Sequence, residues 1–287
     1  MSVRISSYMS TPVVAVGPND NLAHVRNLMI KFKIGRVVVV DDDHVAGILT
    51  WTDLMKSLLS MEKDWATRPI DMILAKEVMT QNPVMIRSSK SIRLAAKNMV
   101  KRGISGLPVV NQQSELKGMI TKTDVVRAMP KTRASKLTVE QVMSTPVVSA
   151  TPFHTVYRAA ALMSEHRIAH LVIEEGGTPV GIISKSDLAS YVPLVGIDSG
   201  SDAHPSFIKL KRLRFGVPHQ ARMYNVPIAA DLMTTSLVVS RPDATLLEAS
   251  QVMLRRGISS LPVVSENDAL IGIISKSDLV KAVARYR

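Results

Sequence analysis

The sequence predicts an α/β fold, α+β within each unit, built from four strand–helix–strand–strand–helix units in tandem. Three observations carry that prediction. The phrase hydroxyl–any–hydroxyl–carboxylate occurs four times, as Thr50-Trp51-Thr52-Asp53, Thr121-Lys122-Thr123-Asp124, Ser184-Lys185-Ser186-Asp187 and Ser275-Lys276-Ser277-Asp278. Each aspartate stands 44 or 45 residues after an anchor methionine: Met9, Met79, Met143 or Met233. Each phrase also follows a glycine and two apolar residues, beginning at Gly47, Gly118, Gly181 and Gly272. Repetition at a fixed period marks one supersecondary unit copied along the chain, each copy too small to bury a comfortable core alone.

The elements follow in order after each anchor. A β-branched run comes first: Val13-Val14, Val84-Met85-Ile86, Val147-Val148 and Leu237-Val238-Val239. These read as short buried strands. A turn at Pro18, Ser88, Pro152 or Pro242 leads into helical spacing, as in Leu22, Val25, Leu28-Met29 and Phe32, or Leu246, Ala249 and Val252-Met253. Asp20 and Asp243 precede two of those helices and are expected to accept bonds from their free N–H groups. Gly103 and Gly257 end the helices of repeats two and four. A second strand follows at Val37–Val40, Leu107–Val110, Leu171–Ile173 and Leu261–Val264. The third strand runs from the glycine to the repeated hydroxyl, and a last helix opens at the aspartate.

Composition bounds the function. At 287 residues the chain is long enough for two domains with real cores. The cores must be aliphatic, because 46% of residues are hydrophobic and only 4% aromatic. No apolar run reaches the ~20 residues of a membrane-spanning helix, and the first residues do not build a signal peptide, so no membrane role is expected. With no cysteine there is no disulfide, thiol nucleophile or thiolate metal site, which fits a cytoplasmic location. The net charge of +12 and pI near 10.0 attract polyanions: nucleic acid, phosphorylated ligands or an anionic surface.

The order of elements, the Leu-Pro-Val-Val strand of repeats two and four and the Gly-apolar-apolar-Ser/Thr-x-Ser/Thr-Asp endings resemble CBS domains. The resemblance covers nearly the whole chain. It implies repeats at 1–60, 70–130, 137–192 and 229–287, with a basic inserted linker at 193–228. CBS domains pair into Bateman modules, so two modules are expected at 1–130 and 137–287, stacked within one chain or across a homodimer. In repeat number the chain resembles the gamma subunit of AMP-activated protein kinase.

The repeated phrase suits a particular chemistry. The first turn of a helix offers unpaired N–H groups and partial positive charge to an anion. A hydroxyl at the strand end can donate to the same anion, and a carboxylate can accept two bonds from a ribose diol. The resemblance implies this division of labour, with Asp53, Asp124, Asp187 and Asp278 on ribose and Thr50, Thr121, Ser184 and Ser275 on the phosphate side. Capping of four helices accounts for the same residues without any ligand.

The residue before the second strand separates the repeats: Arg36, Gly106, His170 and Ser260. In the kinase gamma subunit, Arg or His here faces phosphate, so the resemblance gives Arg36 and His170 that role, one cation per module. His166 and His170 have metal-ligand spacing, but the element changes from helix to strand between them and no third ligand completes a set; no metal is expected. Lys122, Lys185 and Lys276 either meet phosphate or lie in solvent, and Trp51 fits the core or an interface better than a base stack.

The implied ligands are AMP, ADP, ATP or S-adenosylmethionine, acting as regulatory ligands rather than as required cofactors. Another reading comes from the insertion. The spacing from aspartate to the next anchor is 26, 19 and 46 residues, so the second module carries extra chain. Lys209, Lys211, Arg212, Arg214 and Arg222 cluster there among Phe207, Phe215 and Tyr224. Cations neutralise phosphates while aromatic rings stack on unpaired bases, although such a run is also an ordinary solvated linker. Some archaeal four-CBS proteins associate with ribosomes during dormancy, which adds ribosomal RNA or the ribosome as an expected partner. Catalysis is not expected: the sequence has no P-loop and no paired acid–base constellation.

Overall fold

A computed structural model describes residues 3–54, 68–188 and 226–286. Repeat one comprises β1 (Ala15–Val16), α1 (Leu22–Lys31), β2 (Arg36–Asp41) and β3 (His44–Thr50), then a helical turn from Trp51. Repeat two has α2 (Ala75–Val78), β4 (Thr80–Gln81), β5 (Ile86–Arg87), α3 (Ile92–Arg102), β6 (Gly106–Val110), β7 (Leu116–Thr121) and α4 (Lys122–Arg127). Repeat three has β8 (Ser149–Ala150), α5 (Val156–Glu165), β9 (His170–Glu175) and β10 (Thr178–Ser184). Repeat four has α6 (Ala229–Leu232), α7 (Leu246–Arg256), β11 (Ser260–Val264), β12 (Leu270–Ser275) and α8 (Lys276–Arg285).

Each second and third strand form an antiparallel hairpin, and in repeats one to three the first strand lies parallel to the second after a helical crossover. The first strands are later and shorter than the β-branched runs suggest. Val14 only leads into β1, its carbonyl accepting from Val38 N–H, and repeat four has a single bridge, Ser240 to Val263. The helix caps also fall later than expected. Asn21, Ser91, Thr155 and Thr245 accept from the first turns of α1, α3, α5 and α7. Asp20 instead accepts from Gly17 N–H at 2.7 Å, tightening the turn before α1. Gly103 and Gly257 close α3 and α7 in the left-handed region, at φ 66° and 68°, where a side chain would be strained.

The anchor methionines pack against another repeat. Met79 of repeat two lies under Gly47 of repeat one, so close that a Cβ at Gly47 would sit 2.3 Å from its sulfur. Met9 of repeat one lies under Gly118 of repeat two, Met143 under Gly272 and Met233 under Gly181. Backbone bonds repeat the exchange: Ile5 and Ser6 donate to Lys90 and Ser88, Ala75 to Asp20, Val139 to Ala244, and Ala229 to His154. Each lead-in segment therefore completes the core of a repeat other than its own. The third strands start two or three residues before the glycine that was expected to open them, and that glycine is the gap through which the methionine reaches each one.

The chain divides into two compact units, 1–147 with 238–287, and 148–237. Within the first unit, repeat one has its own apolar cluster, including Leu22, Val25, Met29, Val37 and Leu49. Repeats two and four share a second cluster, in which Ile92, Met99 and Val125 join Leu246, Met253 and Val283. Among the described residues no helix is long and apolar enough to cross a membrane.

Candidate ligand site

Hairpin register assembles the predicted residues at one end of each sheet. Arg36 pairs with Thr50, Gly106 with Thr121, His170 with Ser184 and Ser260 with Ser275. The variable residue before the second strand thus stands directly across from the repeated hydroxyl. The aspartate follows one helical turn later.

In every repeat that aspartate accepts from both the N–H and the hydroxyl of the residue three before it. Asp53 Oδ2 accepts from Thr50 N–H at 2.8 Å and from its hydroxyl at 2.6 Å. Asp124 repeats both bonds with Thr121 at 2.8 and 2.7 Å, Asp187 with Ser184 at 2.7 and 2.7 Å, and Asp278 with Ser275 at 3.0 and 2.7 Å. An ionised carboxylate only accepts, so the hydroxyl proton points at the aspartate. Capping therefore engages Oδ2 and leaves Oδ1 to distinguish the repeats.

Oδ1 divides them into two classes. Arg127 donates to Asp124 Oδ1 at 2.8 Å, and Lys281 to Asp278 Oδ1 at 3.0 Å, each from one helical turn further on. Ser144 also reaches Asp278 Oδ1 at 3.5 Å. These two aspartates are only 1% and 4% exposed. Asp53 and Asp187 are half-buried, and among the described residues their Oδ1 atoms meet no donor.

Arg36, which the resemblance assigns to the phosphate side, is half-buried. Its guanidinium crosses to repeat two, donating to the Ser105 carbonyl at 2.6 Å and the Ser105 hydroxyl at 2.8 Å. Gly106 makes room, since a Cβ there would lie 2.1 Å from Arg36 Nη1. Burial pushes the Arg36 guanidinium down to about 10, opposed by attraction to Asp124. Its Nε is buried and meets no partner among the described residues. Beside it, Lys122 donates to Ser277 at 2.7 Å while Lys276 donates to Thr123 at 3.2 Å, a reciprocal pair between α4 and α8. Burial, then repulsion from Arg36, lowers the Lys122 pKa; burial, then Arg127, lowers that of Lys276. Five cations, Arg36, Lys122, Arg127, Lys276 and Lys281, thus gather around two carboxylates.

Comparison with known proteins matches the CBS domain family at residues 5–60, 75–131, 139–194 and 229–285. The chain belongs to the CBS-domain family. It is 24% identical over 282 residues to the uncharacterized protein MJ1225 of Methanocaldococcus jannaschii, covering 95% of both chains. The crystal structure of that protein superposes with a TM-score of 0.76 at 21% identity, over 97% of this chain and 99% of the other. A conserved protein of Pyrococcus horikoshii superposes at 0.64 with 18% identity, over 98% of this chain and 100% of that one. CBSX2 of Arabidopsis thaliana, solved with AMP, matches 45% of this chain and 97% of its own at TM-score 0.40 and 22% identity.

Several sequence expectations meet the CBS frame differently. Trp51 packs on the core of the first CBS repeat, as expected. His166 ends α5 while His170 starts β9, and among the described residues no group of three metal-ligating side chains exists. Lys209, Lys211, Arg212, Arg214 and Arg222 lie outside the described residues, with most of the 193–228 linker. Sequence reasoning missed Arg127, Lys281 and Ser105. The first two carried a signal, a cation three residues after the aspartate; Ser105 carried none, because its role depends on which repeat faces Arg36.

Proposed function

We propose that the chain is a non-catalytic regulatory protein that takes adenosine-type ligands at the strand–helix junctions of its CBS repeats and passes their occupancy to a macromolecular partner. The observation that carries this reading is the carboxylate oxygen of Asp53 and Asp187 that meets no donor among the described residues, at the hairpin ends where Arg36 pairs with Thr50 and His170 with Ser184. An acceptor for a ribose diol and a side chain able to meet phosphate then share one hairpin end in repeat three, whereas the Arg36 guanidinium of repeat one crosses to Ser105. MJ1225 itself has been put forward as an archaeal homologue of the kinase gamma subunit. Repeats pair as modules 1–130 and 137–287 in this reading, and a ligand acts through its different affinity for two arrangements of them.

Thermal unfolding tests it. A ligand that binds only the folded chain stabilises it by about 2.7 kcal/mol at a hundredfold excess over its Kd. AMP, ADP, ATP or S-adenosylmethionine at millimolar concentration is expected to raise the melting temperature. No shift with any of the four sinks the proposal.

A second reading, nucleic-acid binding, draws on a surface rather than on the insertion. Helix α3 carries Arg93, Lys97, Lys101 and Arg102 and no acid. Arg93 Nη2 donates to the Arg285 carbonyl at 3.3 Å, which brings the basic end of α8 beside it. Tyr286 there is 47% exposed, a ring available for base stacking. Titrating a labelled single-stranded RNA by fluorescence anisotropy at increasing salt is the check. Lys97→Glu with Lys101→Glu should weaken binding at least tenfold and flatten the salt dependence by about 1.4 log units per decade, the share of about two phosphates. Equal binding by the double variant would remove this reading.

A further inference from the structure

The chain has 16 methionines and no cysteine, so every sulfur it carries is a thioether. Among the described residues these methionines occupy three settings. Met29, Met99, Met119, Met129, Met163 and Met253 belong to the core and are at most 6% exposed. Met72 and Met85 stand in the open, at 62% and 40%. The anchors Met9, Met79, Met143 and Met233 lie between these extremes, half-buried, and what covers each of them is the backbone of another repeat.

The four anchors share one construction. At Gly47, Gly118, Gly181 and Gly272 the atom nearest to where a Cβ would stand is the anchor sulfur, at 2.3, 2.9, 2.3 and 2.4 Å. The residue after each methionine pairs antiparallel with the residue after the glycine: Thr80 with Ile48, Ser10 with Met119, Thr234 with Ile182 and Ser144 with Ile273. In the last three pairs each residue donates its N–H to the carbonyl of the other, between 2.9 and 3.2 Å. The sulfur is therefore pinned against a glycine while the flanking N–H groups are already engaged. A slim, polarisable, apolar thioether suits that gap.

Oxidation would remove the fit. The sulfur lone pair attacks one oxygen of hydrogen peroxide, the O–O bond breaks, and the second oxygen leaves as water after taking up the proton. Sulfur loses two electrons and becomes a sulfoxide, and the peroxide is reduced. The added oxygen is a polar acceptor where the neighbouring donors are committed, and burying it without a donor is costly.

We infer that Met9, Met79, Met143 and Met233 are modification sites, oxidised by hydroperoxide in the folded chain, and that their sulfoxides release each lead-in segment from the hairpin it completes. Core methionines are shielded from the oxidant, and the exposed pair holds no segment in place. The anchors alone are both within reach and structural. The modification is reversible, because reduction of the sulfoxide by a thiol-dependent reductase returns the thioether. It does not depend on an adenosine ligand.

Hydrogen peroxide titrated into the full-length chain provides the test, with mass mapping of each methionine and thermal unfolding on the same samples. Sulfoxide is expected at Met72 and Met85 first, then at the anchors, and last at the core methionines. The melting temperature should fall by at least about 4 °C as the anchors convert. Treatment with methionine sulfoxide reductases A and B should restore it, and a Met72→Leu, Met85→Leu variant should show the same fall. The inference is overturned if the anchors stay unoxidised until the chain unfolds, or if they convert with no change in melting temperature. It is equally overturned if reductase treatment does not restore the melting temperature, or if the Met72→Leu, Met85→Leu variant no longer responds to peroxide.

Discussion

Asp124 and Asp187 occupy the same position in the repeated phrase and opposite circumstances in space. Both accept from their own hydroxyl and backbone N–H, but Arg127 neutralises one and no described donor meets the outer oxygen of the other. Removing Arg127 or Lys281 by alanine substitution should therefore cost about 1–2 kcal/mol by urea unfolding, less than a fully buried pair because each cation is half exposed. The lysines of the reciprocal pair give a pH prediction. Folding lowers the pKa of Lys122 and Lys276 from 10.5. Between the lowered values and 10.5 the unfolded chain binds more protons, so the contribution of this pair to stability rises with pH through that window. A Lys122→Met, Lys276→Met double variant should be more stable than the parent at neutral pH, with its advantage shrinking toward pH 10.5. A pH-independent difference would contradict the account. At this scale the repeat disclosed the aspartates and hydroxyls. It concealed their inequality, which depends on burial and on a neighbour one helical turn away.

The hairpins and helices were legible because their periodicity is local: alternating or continuous apolar runs for strands, threes and fours for helices. The exchanged lead-in segments were not. A pattern tells which residues form a strand but not which copy of the repeat receives it, and Met79 fits Gly47 as well in composition as Gly118. The contact itself makes a sharp prediction. Gly181→Ala would put a Cβ 2.3 Å from Met233 sulfur and 3.0 Å from Met233 Cβ, so rotation of the side-chain tip alone cannot relieve it. Overpacking of that kind costs about 1–3 kcal/mol. Denaturant unfolding of Gly181→Ala should show a midpoint lowered accordingly, and Met233→Ala in the same background should recover part of the loss. An unchanged midpoint would mean that the methionine does not occupy the gap.

For the molecule as a whole, the repeat identified the family, while charge identified an open question. Thirty-six cations against 24 acids give the chain its +12, and the described structure gathers part of that excess in two distinct settings. One is the desolvated cluster of Arg36 and the Lys122–Lys276 pair around Asp124 and Asp278. The other is the acid-free surface of α3 beside the end of α8. The basic insertion singled out in the sequence falls outside the described residues, so its contribution was visible only as composition. The functional reading is one of occupancy converted into arrangement. The most direct measurement is a crystal structure of the full chain grown with AMP. The account predicts ribose hydroxyls within hydrogen-bond distance of a repeat aspartate, Asp53 or Asp187, at its strand–helix junction. AMP bound elsewhere, with all four strand–helix junctions empty, would contradict it.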